Sequence, residues 1–301
     1  MNLTSLAWKV VPRLPAGLAR AAFGAGADLA ALKRGGGVRQ LEANLARVRP
    51  ELTRPQLRRL GREGMRRYMR YFCEAFQIAS WSEEKVDSMV RLANEGRVRQ
   101  ELESQSQVVL AMGHMGNWDL AGAWATRHLG PITTVAEHLE PEEVFQDFLA
   151  MRREIGLEII PLEKGQPVFR QLLRTAQTKD PWVIPLLADR DLGRGGVKVS
   201  FFGENALVAP GPAALALAVD RPLYALAMYR EGPRYVLDFS ERISPPAGET
   251  KVRQIEAMTQ AWVDYLETAI KRHPADWHML QKVFVPDLDP ERLKRARGQG
   301  E

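Results

Sequence analysis

Residues 108–120 read VVLAMGHMGNWDL. Val108 to Met112 is an uninterrupted apolar run, the signature of a buried strand. Gly113 ends it and His114 follows at the tip. Gly116 and Asn117 then turn the chain into a helical pattern that opens with Trp118-Asp119-Leu120 and continues AGAWATRHL. The stretch therefore predicts strand, turn and helix, with His114 and Asp119 (H-x-x-x-x-D) at the carboxyl end of a strand. Open α/β sheets place their chemistry there.

Outward from this stretch, strand and helix patterns alternate from about residue 81 onward. A helix near 95–103 leads into the motif. Strands are expected at 131–136, 157–162, 182–188 and 197–202, with helices at 141–154, 168–178 and 211–219 between them. A strand pair, 223–229 and 235–243, precedes a long helix at 251–272. Upstream the pattern is helical. Leu3, Leu6, Ala7, Val10 and Val11 fall near helical spacing, as do Leu18, Ala21, Ala22 and Leu29, and Pro12 and Pro15 divide them into two short helices. Gly35-Gly36-Gly37 reads as a loop before a helix at 38–48. Thr53 is a cap for a long helix at 56–78 whose apolar side carries Leu57, Leu60, Met65, Tyr68, Tyr71, Phe72 and Phe76. The expectation is one α/β domain over 1–301, a central, mostly mixed β-sheet flanked by helices. Residues 1–80 would form a helical, basic, membrane-facing layer, 81–289 the catalytic core and 290–301 a loose tail.

The net charge of +5 conceals an asymmetry: residues 1–70 hold fifteen Lys/Arg against four Asp/Glu, an excess of +11. Such a segment suits an anionic partner, a membrane surface or nucleic acid. An amphipathic, basic start bearing Trp8 is what an interfacial helix needs. No zinc spacing, helix-turn-helix signature or RNP-type strand supports nucleic acid. No run approaches the ~18 apolar residues of a spanning helix, and the first residues lack the long h-region and cleavage site that a signal peptide would show. The single cysteine, Cys73, excludes a disulfide framework and reads as a buried small hydrophobe. A protein on the cytoplasmic side, lying on a membrane, is expected.

A neutral imidazole is a competent base near pH 7, and a carboxylate on its other nitrogen fixes its tautomer. His114 and Asp119 fit those roles, as they also fit a structural hydrogen bond at a strand tip. The alternatives are weaker. There is no G-x-S-x-G elbow, no activated setting for Cys73, no metal-binding cluster among the five histidines, and 193–196 (GRGG) matches neither phosphate-loop pattern. A base without an enzyme nucleophile fits direct transfer to an acceptor hydroxyl.

HMGNWD at 114–119, ADRD at 188–191, VSFFG at 199–203, PGPA at 210–213 and ADWHML at 275–280, in that order, resemble the bacterial lipid A biosynthesis acyltransferase superfamily. Within it they are most similar to the branch that acylates phosphatidylinositol mannosides. The resemblance covers essentially the whole chain. It implies a peripheral enzyme of the plasma membrane that moves a long acyl chain, palmitoyl, from acyl-CoA to the 6-hydroxyl of the mannose on inositol O2. No metal or cofactor is implied beyond acyl-CoA as co-substrate.

On the same resemblance His114 is the general base and Asp119 its relay partner. Asp189 stands where the family has a glutamate in the acceptor site, one methylene shorter, with Asp191 as the alternative. Arg152, or Arg153 beside it, and His278 would meet the acceptor; Arg190 and Arg194 would meet CoA phosphates. Burying a C16 chain at ~0.8 kcal/mol per methylene gives about 12 kcal/mol of gross driving force. That demands an apolar channel beside His114, lined by Trp118, Leu120, Trp124 and the Phe201-Phe202 pair. Alternative readings are transfer to another glycolipid or a lysophospholipid, with acyl carrier protein as a possible donor, and a non-enzymatic basic protein binding membrane or nucleic acid.

Overall fold

The computed structural model describes residues 3–104, 107–162, 168–177, 182–191 and 195–289. The N-terminal helices are α1 (Leu3–Val10), α2 (Ala16–Lys33), α3 (Gly36–Val48) and α4 (Arg54–Ala75). They are followed by α5 (Glu83–Ser88), β1 (Val90–Ala93), α6 (Gly96–Glu103), β2 (Val108–Met112), α7 (Trp118–His128), β3 (Ile132–Glu137) and α8 (Glu142–Glu154). The second half holds β4 (Leu157–Leu162), α9 (Val168–Ala176), β5 (Val183–Leu187), β6 (Val197–Phe201), β7 (Glu204–Val208), α10 (Gly211–Val219), β8 (Leu223–Glu231), β9 (Arg234–Phe239) and α11 (Lys251–Arg272).

The described residues form a seven-stranded sheet in the order β1-β9-β8-β2-β5-β3-β4. Strands β8, β2, β5, β3 and β4 run parallel, while β9 is antiparallel to β8 and carries β1 alongside it. Strand β2 is central, and all five of its residues are buried. Its side chains alternate between faces. Val109 and Ala111 pack on the face covered by α9, α10 and α11. Val108, Leu110 and Met112 pack on the face covered by α4, α7 and α8. A strand enclosed on both faces must be apolar throughout, which is why 108–112 reads as it does.

The chain leaves β2 through α7 on one face of the sheet and leaves β5 toward α10 on the other. The two strands are neighbours in register, Val108 opposite Val183 and Met112 opposite Leu187. Their carboxyl ends therefore flank a crevice where the connections diverge.

Two expectations in the N-terminal layer change. Gly36 and Gly37 belong to α3, with Gly35 just before it, so only Gly35 is outside a helix. Trp8 faces the protein: its ring meets Phe76 at 4.6 Å and Phe148 at 5.1 Å, both edge-on. Of the fifteen basic residues in 1–70, six are in ion pairs: Arg34, Arg47, Arg49, Arg62, Arg66 and Arg67. Arg62 and Arg66 both bind Asp28 and so tie α4 to α2. Among the described residues no helix is long and apolar enough to cross a membrane. Cys73 is fully buried, and burial pushes its thiol up to about 11.

Candidate active site

His114 follows β2 and Asp189 follows β5, so adjacent parallel strands deliver them to one point. Asp189 is completely buried. Its Oδ1 lies 2.5 Å from His114 Nδ1, and its Oδ2 accepts the His114 backbone N–H at 2.9 Å. Trp277 Nε1 donates to the same Oδ2 at 2.9 Å. Burial by itself would raise the Asp189 carboxyl; the His114 charge and these hydrogen bonds outweigh it and hold the group below the usual carboxylate range. A buried carboxylate on Nδ1 keeps the proton of the neutral ring on that nitrogen and leaves Nε2 as the basic one.

The expected His114–Asp119 relay is not formed. Asp119 occupies the first turn of α7, whose start is fixed by Asn117: Asn117 Oδ1 accepts from Leu120 N at 3.0 Å and its Nδ2 donates to buried Glu74 at 2.8 Å. That phase turns Asp119 toward α4 and α8. Its Oδ1 accepts from Arg152 Nε at 2.8 Å and its Oδ2 from the Tyr71 hydroxyl at 2.8 Å. Burial, with Asp119 next, holds the Tyr71 phenol well above its ordinary range, so it remains a donor. Burial opposes the charge on Arg152, but Asp119 overcomes this and raises it. Asp119 therefore orients Arg152, and Asp189 takes the place on the histidine that local spacing had given to Asp119. Arg153, the competitor of Arg152, is exposed.

Gly116 makes the turn between them possible. Its φ is +62°, and a Cβ there would sit 2.8 Å from the Met228 carbonyl oxygen. Its carbonyl accepts from His278 Nε2 at 3.0 Å, and the His278 backbone N–H donates to the His114 carbonyl at 2.7 Å. His278 is buried, with Nδ1 unpartnered, and burial brings its pKa down to about 3. It is neutral at physiological pH.

Part of this network faces a cavity of about 530 Å³. His114, Trp118, Asp119, Arg152 and His278 stand on its wall, and the rest is largely apolar, including Leu110, Met112, Ala121, Leu129, Phe148 and Leu226. An apolar channel thus reaches His114. Of the expected lining residues Trp118 contributes; Leu120 is in the core, Trp124 stacks on His128, and Phe201 and Phe202 pack on Trp277 and Phe284. Arg190 and Asp191 also reach the wall. Arg190 binds Glu137 at 2.5 Å, and the Asp191 backbone N–H donates to Leu207. Arg194, like the tail after residue 289, lies outside the described residues.

Among the described residues of the wall there is no serine or cysteine, and its one threonine, Thr134, donates its hydroxyl to the Pro185 carbonyl. The arrangement supplies a base with an oriented tautomer, a fixed guanidinium and an apolar cavity. That combination serves proton removal from an acceptor hydroxyl next to a bound acyl chain. Tyr71 and Trp277 were missed in the sequence, where both read only as apolar rings.

The profile of the family described as bacterial lipid A biosynthesis acyltransferase matches residues 2–285. A phosphatidylinositol mannoside acyltransferase of Mycolicibacterium smegmatis is 36% identical over 291 residues, covering 96% of this chain and 92% of that protein. A protein of the same name from Mycobacterium tuberculosis is 35% identical over 297 residues, covering 97% and 90%. These findings set aside the non-enzymatic reading of the basic N-terminus. The chain belongs to the bacterial lipid A biosynthesis acyltransferase family and is an enzyme that transfers acyl groups.

Proposed function

We propose that the protein moves a palmitoyl group from acyl-CoA to the 6-hydroxyl of the mannose on inositol O2 of a phosphatidylinositol mono- or dimannoside. The single observation that carries this reading is His114 on the wall of a largely apolar cavity with the buried Asp189 carboxylate behind it on Nδ1; the names of the relatives supply the acceptor class. In the transfer, His114 Nε2 takes the proton of the mannose hydroxyl as its oxygen attacks the thioester carbonyl carbon. The tetrahedral intermediate collapses, the C–S bond breaks, and the imidazolium returns its proton to the CoA thiolate. Asp189 stabilises the imidazolium in between. In this reading Arg152, held by Asp119, donates to sugar hydroxyls, and the Nδ1 of His278, buried without a partner among the described residues, accepts from one. Arg190 and Arg194 are assigned to CoA phosphates.

The acceptor and donor are both membrane-soluble or amphiphilic, and the N-terminal layer suits a peripheral position on the cytoplasmic face. Leu18, Leu29 and Leu32 are 58%, 51% and 80% exposed on α2. They lie eleven and three residues apart, near whole turns, so they form one apolar stripe. Exposed Lys33, Arg39, Arg54, Arg58 and Arg59 lie on α2, α3 and α4, a basic complement to anionic lipid. The test is incubation of purified protein with labelled palmitoyl-CoA or palmitoyl carrier protein and a panel of acceptors. Label in phosphatidylinositol mannoside from the CoA donor is the expected result. Label only in lysophospholipid or another glycolipid would replace the acceptor, and label only from the carrier protein would replace the donor.

A further inference from the structure

The segment that follows α11 is laced onto the catalytic turn. Trp277 forms an isolated antiparallel bridge with Met115, Gly116 N–H donates to the Asp276 carbonyl at 3.0 Å, and His278 N–H donates to the His114 carbonyl. Asp276 is anchored in turn by Arg67 at 3.2 Å and by the Arg230 backbone N–H at 3.2 Å. The Trp277 indole at the centre is fully buried, with Phe201 edge-on at 5.6 Å. Its N–H is not simply buried: it is spent on Asp189. The indole N–H groups of Trp8, Trp118, Trp182 and Trp262 are buried without a partner among the described residues.

We infer that Trp277 is a positioning residue of the transfer reaction, its indole N–H holding the Asp189 carboxylate in the orientation that fixes the His114 tautomer. The carboxylate has two jobs on two oxygens. Oδ1 faces the imidazole, and Oδ2 is gripped by two donors, the His114 backbone N–H and the indole. With both in place the carboxylate plane cannot rotate away from Nδ1. The indole also draws charge from Oδ2, which moderates the pull of Asp189 on the imidazolium. Without it the carboxylate is less fixed and more basic, so His114 should hold its proton more tightly. The other charged or titratable groups on the cavity wall beside His114 are Tyr68, Tyr71, Asp119, Glu137, Arg152, Arg190, Asp191 and His278, whereas the indole N–H of Trp277 donates to Asp189.

The inference rests on His114 as the base, and its test separates the two. Trp277 is replaced by 3-benzothienyl-alanine, which keeps the bicyclic shape and puts sulfur in place of the N–H; Trp277→Phe is the second variant. Turnover is measured with palmitoyl-CoA and phosphatidylinositol dimannoside, and the His114 titration is followed by NMR on histidine-labelled protein. Losing one hydrogen bond to a charged group should lower kcat about 10- to 100-fold with KM nearly unchanged. His114 should titrate at higher pH, moving the acid limb of the kcat/KM profile upward. An unmoved His114 titration, or turnover within twofold of the native enzyme, overturns the inference. Native-like turnover in His114→Ala would instead overturn the base assignment, an outcome the titration in the isostere does not share.

Discussion

Asp189→Asn separates the two carboxylates of the site, because the hydrogen bonds around Asp189 leave the amide one way to sit. The His114 backbone N–H and Trp277 Nε1 both require an acceptor where Oδ2 now lies. The amide oxygen must take that position, so the amide nitrogen faces His114 Nδ1 across a separation that is 2.5 Å in the native pair. Two donors cannot share that contact, and the imidazole proton moves to Nε2. The nitrogen that should accept the acceptor's proton is then already protonated. A carboxylate-to-amide change in an equivalent relay lowers kcat by roughly 10⁴-fold; roughly 10³–10⁴-fold is expected here, about 4–5.5 kcal/mol of transition-state stabilisation at ~1.4 kcal/mol per decade. The assay is transfer of labelled palmitoyl from CoA to phosphatidylinositol dimannoside at pH 7, at saturating acceptor, with thermal unfolding to confirm the fold. Asp119→Asn leaves the His114–Asp189 contact in place, and its effect should fall on acceptor KM and on stability through Arg152. If Asp189→Asn keeps turnover within tenfold of native, the relay assigned to Asp189 is wrong.

Three further outcomes follow from the same geometry. Arg152→Ala strands the buried Asp119 carboxylate and should cost about 3–5 kcal/mol in urea unfolding, while Arg152→Ala with Asp119→Ala together should cost less than the sum of the two. His278 is buried neutral with its pKa brought down to about 3 from an ordinary 6.5, so between those values the unfolded state binds the extra proton. Its contribution to stability is complete above pH 6.5 and declines as pH falls, by up to about 1.4 kcal/mol per pH unit; in His278→Gln the stability should fall less steeply than in the native protein between pH 6.5 and 4. Ala121→Phe intrudes on the apolar cavity and should shift the preferred donor from palmitoyl-CoA to shorter chains, each methylene excluded weakening binding by about 0.8 kcal/mol; an unchanged chain-length profile would place the acyl chain elsewhere.

The sequence made β2 and α7 plain, since a strand enclosed on both faces has no polar position to blur it. It also made α11 plain, its bounds being those expected. Strand β1 was missed because it lies at the sheet edge with Arg91 exposed, so no apolar run marks it. Strand β7 was missed because ENALV begins with two polar residues and because its hairpin turns on Phe202 at φ +50° and Gly203 at φ +77°. Phenylalanine is not a residue that signals such a turn. In the site, His114 was legible as a histidine at a strand tip, but its partner was not. Asp189 is 75 residues away and meets it only because β5 returns to lie beside β2. Asp119, five residues on, was the natural candidate until the Asn117 cap set the phase of α7. Trp277 and Tyr71 were hidden for another reason: sequence shows a ring, and whether its polar atom is used depends on what the fold brings against it.

In the proposed reaction His114 removes the acceptor's proton in the step that forms the ester. The decisive experiment is single-turnover transfer of labelled palmitoyl to phosphatidylinositol dimannoside by His114→Ala, at enzyme in excess over donor. The rate should be lower by at least roughly 10³-fold with binding to anionic vesicles retained. A rate within tenfold of the native enzyme would contradict it.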